Sequence, residues 1–346
     1  MRTPVLILIM LTALACNTED RLPKEARQPI AVVVERFDQD LFAMDTLQMD
    51  MALQGLSQKY PDFFPGYLTA VLGIHPNDPR AMEAVSAFLA SYRPVYHAVG
   101  RELLASIEGL PAEMERALQW MRYLVPGFRP DEPFVITTFI GPMDAYESFS
   151  IGDHGDVSTA IWVGIALQLH LGSRHPLYES GLEGGVFFDY QVRRFEPGTM
   201  LVNAMKNVIE DQFPYTAAGK PLIEEMVEKG KRMYLLKKVL PQVHDSLLVG
   251  YTGAQWKGCL DNESTIWQFF VKNDLLYSIE PSINQQYIRD GPKTPELGEA
   301  SPGYIGLFIG WRIVEAFMNK NPGTSIDTLM DMPANNVFQA SGYRPS

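Results

Sequence analysis

The sequence predicts a mostly helical α+β domain around a small, largely antiparallel sheet. Three observations lead there. Apolar residues recur at helical spacing, above all Leu222, Ile223, Met226, Val227, Gly230, Met233 and Tyr234. Short β-branched and aromatic runs at 30–37, 134–140 and 161–166 read as strands. Helical segments flank these runs in one chain that is 46% hydrophobic, with no internal linker or repeat, so one core serves both.

The chain opens with Arg2, an apolar run over 5–11, and then Ala13-Leu14-Ala15-Cys16. A basic start, a short apolar stretch and small residues before a break make a secretory signal. A cysteine directly after them makes it the bacterial lipoprotein form, cleaved before Cys16. The thiol then carries diacylglycerol and the new amine an acyl chain such as palmitate. The run is too short to span a bilayer, which needs ~20 apolar residues. Two or more acyl chains anchor stably, at ~0.8 kcal/mol per buried methylene. Residues 1–15 are therefore the signal peptide. Residues 16–29, polar with Pro23 and Pro29, are a lipidated tether. Residues 30–346 are a single globular domain.

Within the domain, 30–37 is the first strand. Residues 41–64 are mixed, with turns at Tyr60-Pro61 and Phe64-Pro65-Gly66. Asp78 caps a helix that runs to Ala90; Pro94 breaks it, and the helix resumes over 95–107. A further helix, 112–124, closes at Pro126-Gly127. Strands follow at 134–140, 146–151 and 161–166, with turns at Gly141-Pro142 and Gly152-Asp153 between them. Strands joined by turns this short pair as antiparallel neighbours. Helices return at 200–211 and along the stripe from Leu222, where Glu225–Lys229 and Glu228–Arg232 pair on the outer face. Pro241 ends that helix. An aromatic helix over 266–276 and the stripe Ile305, Phe308, Ile309, Ile313, Ala316, Phe317 complete the set.

The net charge is −12, which disfavours nucleic acid and anionic lipid surfaces, since both need clustered Lys and Arg. Cys16 and Cys259 are the two cysteines, so an acylated Cys16 leaves Cys259 without a disulfide partner, as a buried small hydrophobe.

Chemistry is sparse. The histidines, His75, His97, His154, His170, His175 and His244, form no His-Glu-x-x-His, and no zinc cluster. His170 and His175 fall on different sides of either a helix or a strand. Asp144, Glu147, Asp153 and Asp156 form the best acidic cluster. A solvated turn accounts for them; as acid/base carboxylates they would mark a hydrolase or glycan-binding lipoprotein acting on peptidoglycan or peptides. Trp162, Trp256, Trp267 and Trp311 sit in apolar stripes and read as core, not as a sugar platform. There is no Gly-x-Ser-x-Gly, phosphate loop or dinucleotide fingerprint, so no cofactor is implied.

Several segments together resemble one family. They are 193–197 (Arg-Arg-Phe-Glu-Pro), 230–236 (Gly-Lys-Arg-Met-Tyr-Leu-Leu), Leu240-Pro241 with 245–252, 262–267, 274–278, Asp290-Gly291-Pro292, 310–314 and 341–345. In order and spacing they are similar to the gliding motility lipoprotein GldB family of Bacteroidetes, most clearly over 185–346. Glu19 and Asp20 resemble the surface-export signals of lipoproteins from that phylum. The resemblance implies an envelope lipoprotein, held to the membrane through Cys16, that supports gliding and its type IX secretion machinery by protein contacts. It implies no enzyme activity and no cofactor. It also implies a degenerate zinc-peptidase-like fold without metal, because Asn203-Ala204-Met205-Lys206-Asn207 stands where such a fold carries its metal histidines.

Overall fold

The computed structural model describes residues 22–75, 78–130, 133–143, 156–159 and 162–345. Cys16, Glu19, Asp20, Asp144, Glu147, Asp153, His154 and the strand expected over 146–151 lie outside these residues.

Among the described residues four strands form one sheet: β1 Val32–Glu35, β2 Phe134–Phe139, β3 Val157–Thr159 and β4 Trp162–Ala166, in the order β1-β2-β4-β3. β1 and β2 run parallel, with Val32 opposite Phe134. β2 and β4 also run parallel, with Ile136 opposite Val163. Among the described strands only β3 is antiparallel, along the outer edge of β4. The expectation of a largely antiparallel sheet is thus corrected to a parallel core with one antiparallel edge. Long helices between β1 and β2 return the chain to the end it started from, and a parallel pair needs such a crossover. The inner half of β2, Ile136 to Phe139, is buried throughout, as parallel strands covered on both faces are.

The crossover contains α1 Phe37–Phe42, α2 Met49–Lys59, α3 Ala81–Glu102 and α4 Leu104–Leu124. The Asp78 side chain accepts from the Arg80 N–H at 2.8 Å, just ahead of α3. Pro94 does not break α3, contrary to expectation. Ala90 and Pro94 are both exposed, which leaves the Ala90 carbonyl, deprived of its helical partner, open to solvent. Phe88 and Leu89 before the proline and Val95, Ala98 and Val99 after it are buried, which holds both halves on one core. The break falls instead at Leu103, between α3 and α4.

Beyond the sheet come α5 Pro176–Glu183, α6 Thr199–Gln212, α7 Leu222–Val239, α8 Asp245–Val249, α9 Gly253–Asp261, α10 Glu263–Lys272, α11 Pro281–Ile288, α12 Ile305–Lys320, α13 Ile326–Asp331 and α14 Ala334–Ser341. The helix expected to reach 276 stops at Lys272, because Asp274 takes φ of 54°. The stripe on α7 is core as expected, with Tyr234 alone only half buried. α7 packs against α12 so closely that glycines face the contact. A Cβ on Gly310 would overlap the Met226 carbonyl, and one on Gly230 would overlap the Gly310 carbonyl. Trp256 and Trp311 lie 5.3 Å apart inside this layer. The Cys259 thiol is buried there too, and desolvation pushes it up to about 12, which leaves it inert.

The first described residues are packed against the domain. Leu22, Ala26 and Ile30 are buried, Arg27 Nε donates to the Leu22 carbonyl at 3.0 Å, and Gln119 on α4 donates to the Gln28 carbonyl at 3.2 Å.

Candidate functional site

α6 buries Met200, Ala204, Met205 and Val208 against the domain. Its remaining face brings Lys206 and Asn207 to a hollow of about 260 Å³ between α6, α7 and the start of α12. The apolar floor is Ile209, Met233, Leu236, Val249 and Leu307. The walls carry Arg194, Lys206, Lys229 and Arg232 against the single carboxylate of Glu210, together with Tyr215 and Tyr304.

Each polar group is held by its surroundings. Arg232 donates to the Phe213 and Pro214 carbonyls at 2.9 and 2.7 Å and pairs with Glu228 at 3.2 Å and Glu210 at 3.3 Å. It thereby ties the loop after α6 to α7. Arg194 pairs with Asp290. Its stem passes over Gly250, which closes α8 at φ of 83°; a side chain there would be both strained and in the way. Lys229 donates to the Tyr304 hydroxyl at 2.7 Å, and its ammonium lies 4.9 Å from the Tyr304 ring centre and 5.2 Å from that of Tyr215. The Tyr215 hydroxyl donates to buried Glu225 at 2.7 Å, and Asn284 donates to the other Glu225 oxygen at 2.9 Å. Burial, then the Glu225 charge, raises the Tyr215 phenol well above its usual range. Tyr304 itself has φ of 61°, an uncommon left-handed position for a bulky residue.

Of the acidic cluster, the described residues include Asp156 only. It is fully buried and accepts from the Ala166 N–H at 2.8 Å and from His170 Nε2 at 3.1 Å. His170 Nδ1 meets the Thr199 hydroxyl at 3.0 Å, at the start of α6. These groups knit β3, β4 and α6 together, and Asp156 has no open side for a substrate. His170 and His175 do not converge; His175 lies 3.3 Å from Glu102 instead. Among the described residues no group of three or more His, Cys, Asp or Glu side chains is placed to hold a metal.

Sequence reasoning missed this cavity. Lys229 and Arg232 read as ion-pair partners on a solvated face. The Glu228–Arg232 pair is present, but Glu225 is buried under Tyr215 and Asn284. The available signal was the resemblance itself. The segments 193–197, 230–236 and 245–252 supply Arg194, Arg232, Met233, Leu236 and Val249 to the lining, and Asp290 comes from another of them. A second group of these segments meets elsewhere. Arg312 Nε donates to Glu263 at 3.0 Å, and the Tyr343 hydroxyl donates to the same carboxylate at 2.7 Å, which pins the C-terminal segment to α10 and α12.

Residues 18–345 match the family model described as gliding motility protein GldB. No curated relative and no solved structure matches the chain.

Proposed function

We infer what this chain does from the family it belongs to, that of gliding motility protein GldB. It serves gliding as a lipid-anchored protein of the cell envelope, supporting the motor and its type IX secretion machinery through protein contacts and not through catalysis. The observation that carries this reading is the match over nearly the whole chain, 18–345.

Other features agree with it. The sequence before residue 18 has the form of a lipoprotein signal ending at Cys16. No helix among the described residues is long and apolar enough to cross a membrane. Five residues separate Cys16 from Leu22, the first described residue, which is buried. At ~3.3–3.6 Å per residue that stretch can span at most about 20 Å, so a domain anchored at Cys16 would stay close to the bilayer. Val271, Tyr277 and Ile279 are exposed around the end of α10 and offer apolar surface to a partner. The hydrolase alternative loses its described carboxylate, since Asp156 is buried and fully engaged.

The test is a pull-down from detergent-solubilised membranes of the source organism, comparing the natural chain with Cys16→Ser, alongside labelling with a clickable palmitate analogue. Label on the natural chain alone, and envelope motility or secretion proteins recovered with it and reduced with Cys16→Ser, are the expected results. Equal labelling of both chains would refute the anchor. A natural chain that recovers no envelope protein would refute the assembly role.

A further inference from the structure

We propose that the exposed aromatic step Phe188–Tyr190, with the Arg193 guanidinium beside it, docks a partner protein through a segment that presents one carboxylate next to an apolar side chain. This deepens the reading above and rests on it only for the premise that the chain works by protein contacts.

The guanidinium is the first argument. Arg193 is half-buried, and its Nε is fully enclosed without a hydrogen-bond partner among the described residues. The charges that bear on it are Arg194, a second cation, and the phenols of Tyr251 and Tyr190; desolvation and then Arg194 lower its pKa from the ordinary value. Other cations held in the domain are matched. Arg36 meets Asp38 at 2.7 Å, Lys231 meets Glu228 at 2.6 Å, Arg232 meets Glu228 at 3.2 Å and Arg312 meets Glu263 at 3.0 Å. A partly desolvated guanidinium with no acceptor is costly in the free chain. A carboxylate from outside removes that cost by accepting parallel N–H bonds from the planar fork.

The surface around it is the second argument. A single helical turn, Asp189–Val192, carries the site between α5 and α6. Gln191 and Val192 are buried, which leaves Tyr190 and Arg193, one turn apart, on the outer face. Phe187 is buried against Tyr178 and Phe195. The next residue, Phe188, is instead 56% exposed and stacks on Tyr190, with ring centres 5.7 Å apart and planes at 11°. Val186 is exposed beside them. A scattered apolar side chain at the surface needs no partner. Stacked rings beside an arginine are the composition that carries binding energy in protein interfaces.

Charge selects the occupant. The chain has a net charge of −12, which repels an anionic bilayer and a densely acidic partner alike. Arg194 is already paired with Asp290, so the site offers one open guanidinium and not a phosphate-binding cluster. One planar fork suits one carboxylate, and the rings suit an apolar neighbour to it.

Phe188→p-benzoylphenylalanine in the full chain, irradiated in living cells of the source organism, tests this, with Tyr277→p-benzoylphenylalanine as a second exposed position. The expected result is a protein adduct at position 188 whose crosslinked peptide, read by mass spectrometry, carries Asp, Glu or a free C-terminus next to an apolar residue. That peptide is then synthesised with its carboxylate intact and as the amide, and titrated against the purified natural chain and Arg193→Met. The acid should bind the natural chain about tenfold tighter than the amide, the value of a charge-assisted hydrogen bond, and the two should bind Arg193→Met alike. Arg193→Met itself should melt at or above the natural chain, because nothing inside the domain loses a partner. A lower melting temperature, equal binding of acid and amide, a crosslinked peptide without a carboxylate, adducts with lipid or a second copy of this chain alone, or no adduct would each overturn the proposal. An adduct at position 277 with none at 188 would overturn it and leave the family role intact. An acid-dependent contact at 188 with a protein outside the envelope would support the surface and count against that role.

Discussion

Replacing Gly310 by alanine tests the central packing. Gly310 lies inside α12, where alanine is intrinsically better than glycine by up to ~1 kcal/mol. On propensity alone the substitution stabilises. The new Cβ, however, falls well inside the 3.4 Å at which ordinary contact begins, and what it meets is the Met226 backbone carbonyl. A side chain could rotate away; a helix backbone cannot. α7 and α12 must therefore separate by about 1 Å or more, and a gap of that size forfeits a quarter to a half of each dispersion contact across it. The loss falls on Met226, Val227, Met233, Ile309 and Ile313, all buried. Overpacking of this kind costs ~1–3 kcal/mol and sometimes more. Because backbone meets backbone, we expect a net loss of about 3 kcal/mol after the propensity gain. At ~2 cal/mol/K per residue, the unfolding entropy of 346 residues makes that a fall of about 4 °C in Tm. Differential scanning calorimetry reads it directly. Gly100→Ala in α3 is the companion, since a Cβ there meets nothing within 4 Å. It should raise stability by up to ~1 kcal/mol. A Gly310→Ala chain melting at or above the parent would refute the close approach of the two helices.

Three further outcomes are expected. Both amide atoms of Gln168 are buried and find no hydrogen-bond partner among the described residues, so Gln168→Met should leave stability unchanged or raise it by about 1 kcal/mol in urea unfolding; a loss above that would mean the amide is satisfied by ordered water. Lys231 is fully buried and donates to Glu228 and to the Met332 carbonyl, each at 2.6 Å, so Lys231→Met should cost ~1–3 kcal/mol by stranding those acceptors, and an unchanged midpoint would contradict it. Tyr67, Tyr178, Tyr215, Tyr251 and Tyr343 are all raised above the ordinary phenol value, chiefly by desolvation. They stay protonated in the native state while the unfolded chain releases protons near pH ~10. Their stabilising contribution is therefore whole below about pH 10 and is lost as pH rises above it. Tm should fall steeply there, with only part of the 15 tyrosines ionising before unfolding; full ionisation in a native chain near pH ~10 would refute the burial of these phenols.

The helices were legible because their signal is local. The period that places Leu222, Ile223, Met226 and Met233 on one side of α7 is written within eighteen residues, and all four are buried. Pro94 was misread because the burial of Phe88, Leu89, Val95, Ala98 and Val99 on one core offsets the lost hydrogen bond and the crowding by the ring, and that packing is a tertiary fact. The sheet was misread for a similar reason. Turns between strands suggested hairpins, whereas β2 takes its partners from Val32 to Glu35 on one side and Val163 to Ala166 on the other.

By itself the sequence determined the mostly helical class, the stripes that form the core and the family, through patterns each contained in short stretches of the chain. Tertiary structure alone decided the parallel strand order, the glycine contact between α7 and α12, the burial of Asp156 against His170, and the gathering of Arg194, Lys206, Lys229 and Tyr304 around one hollow. Tyr304 and Lys229 stand 75 positions apart along the chain. Side-chain periodicity reports which face of an element is apolar, but not which distant element it meets. That choice comes from packing the whole chain at once.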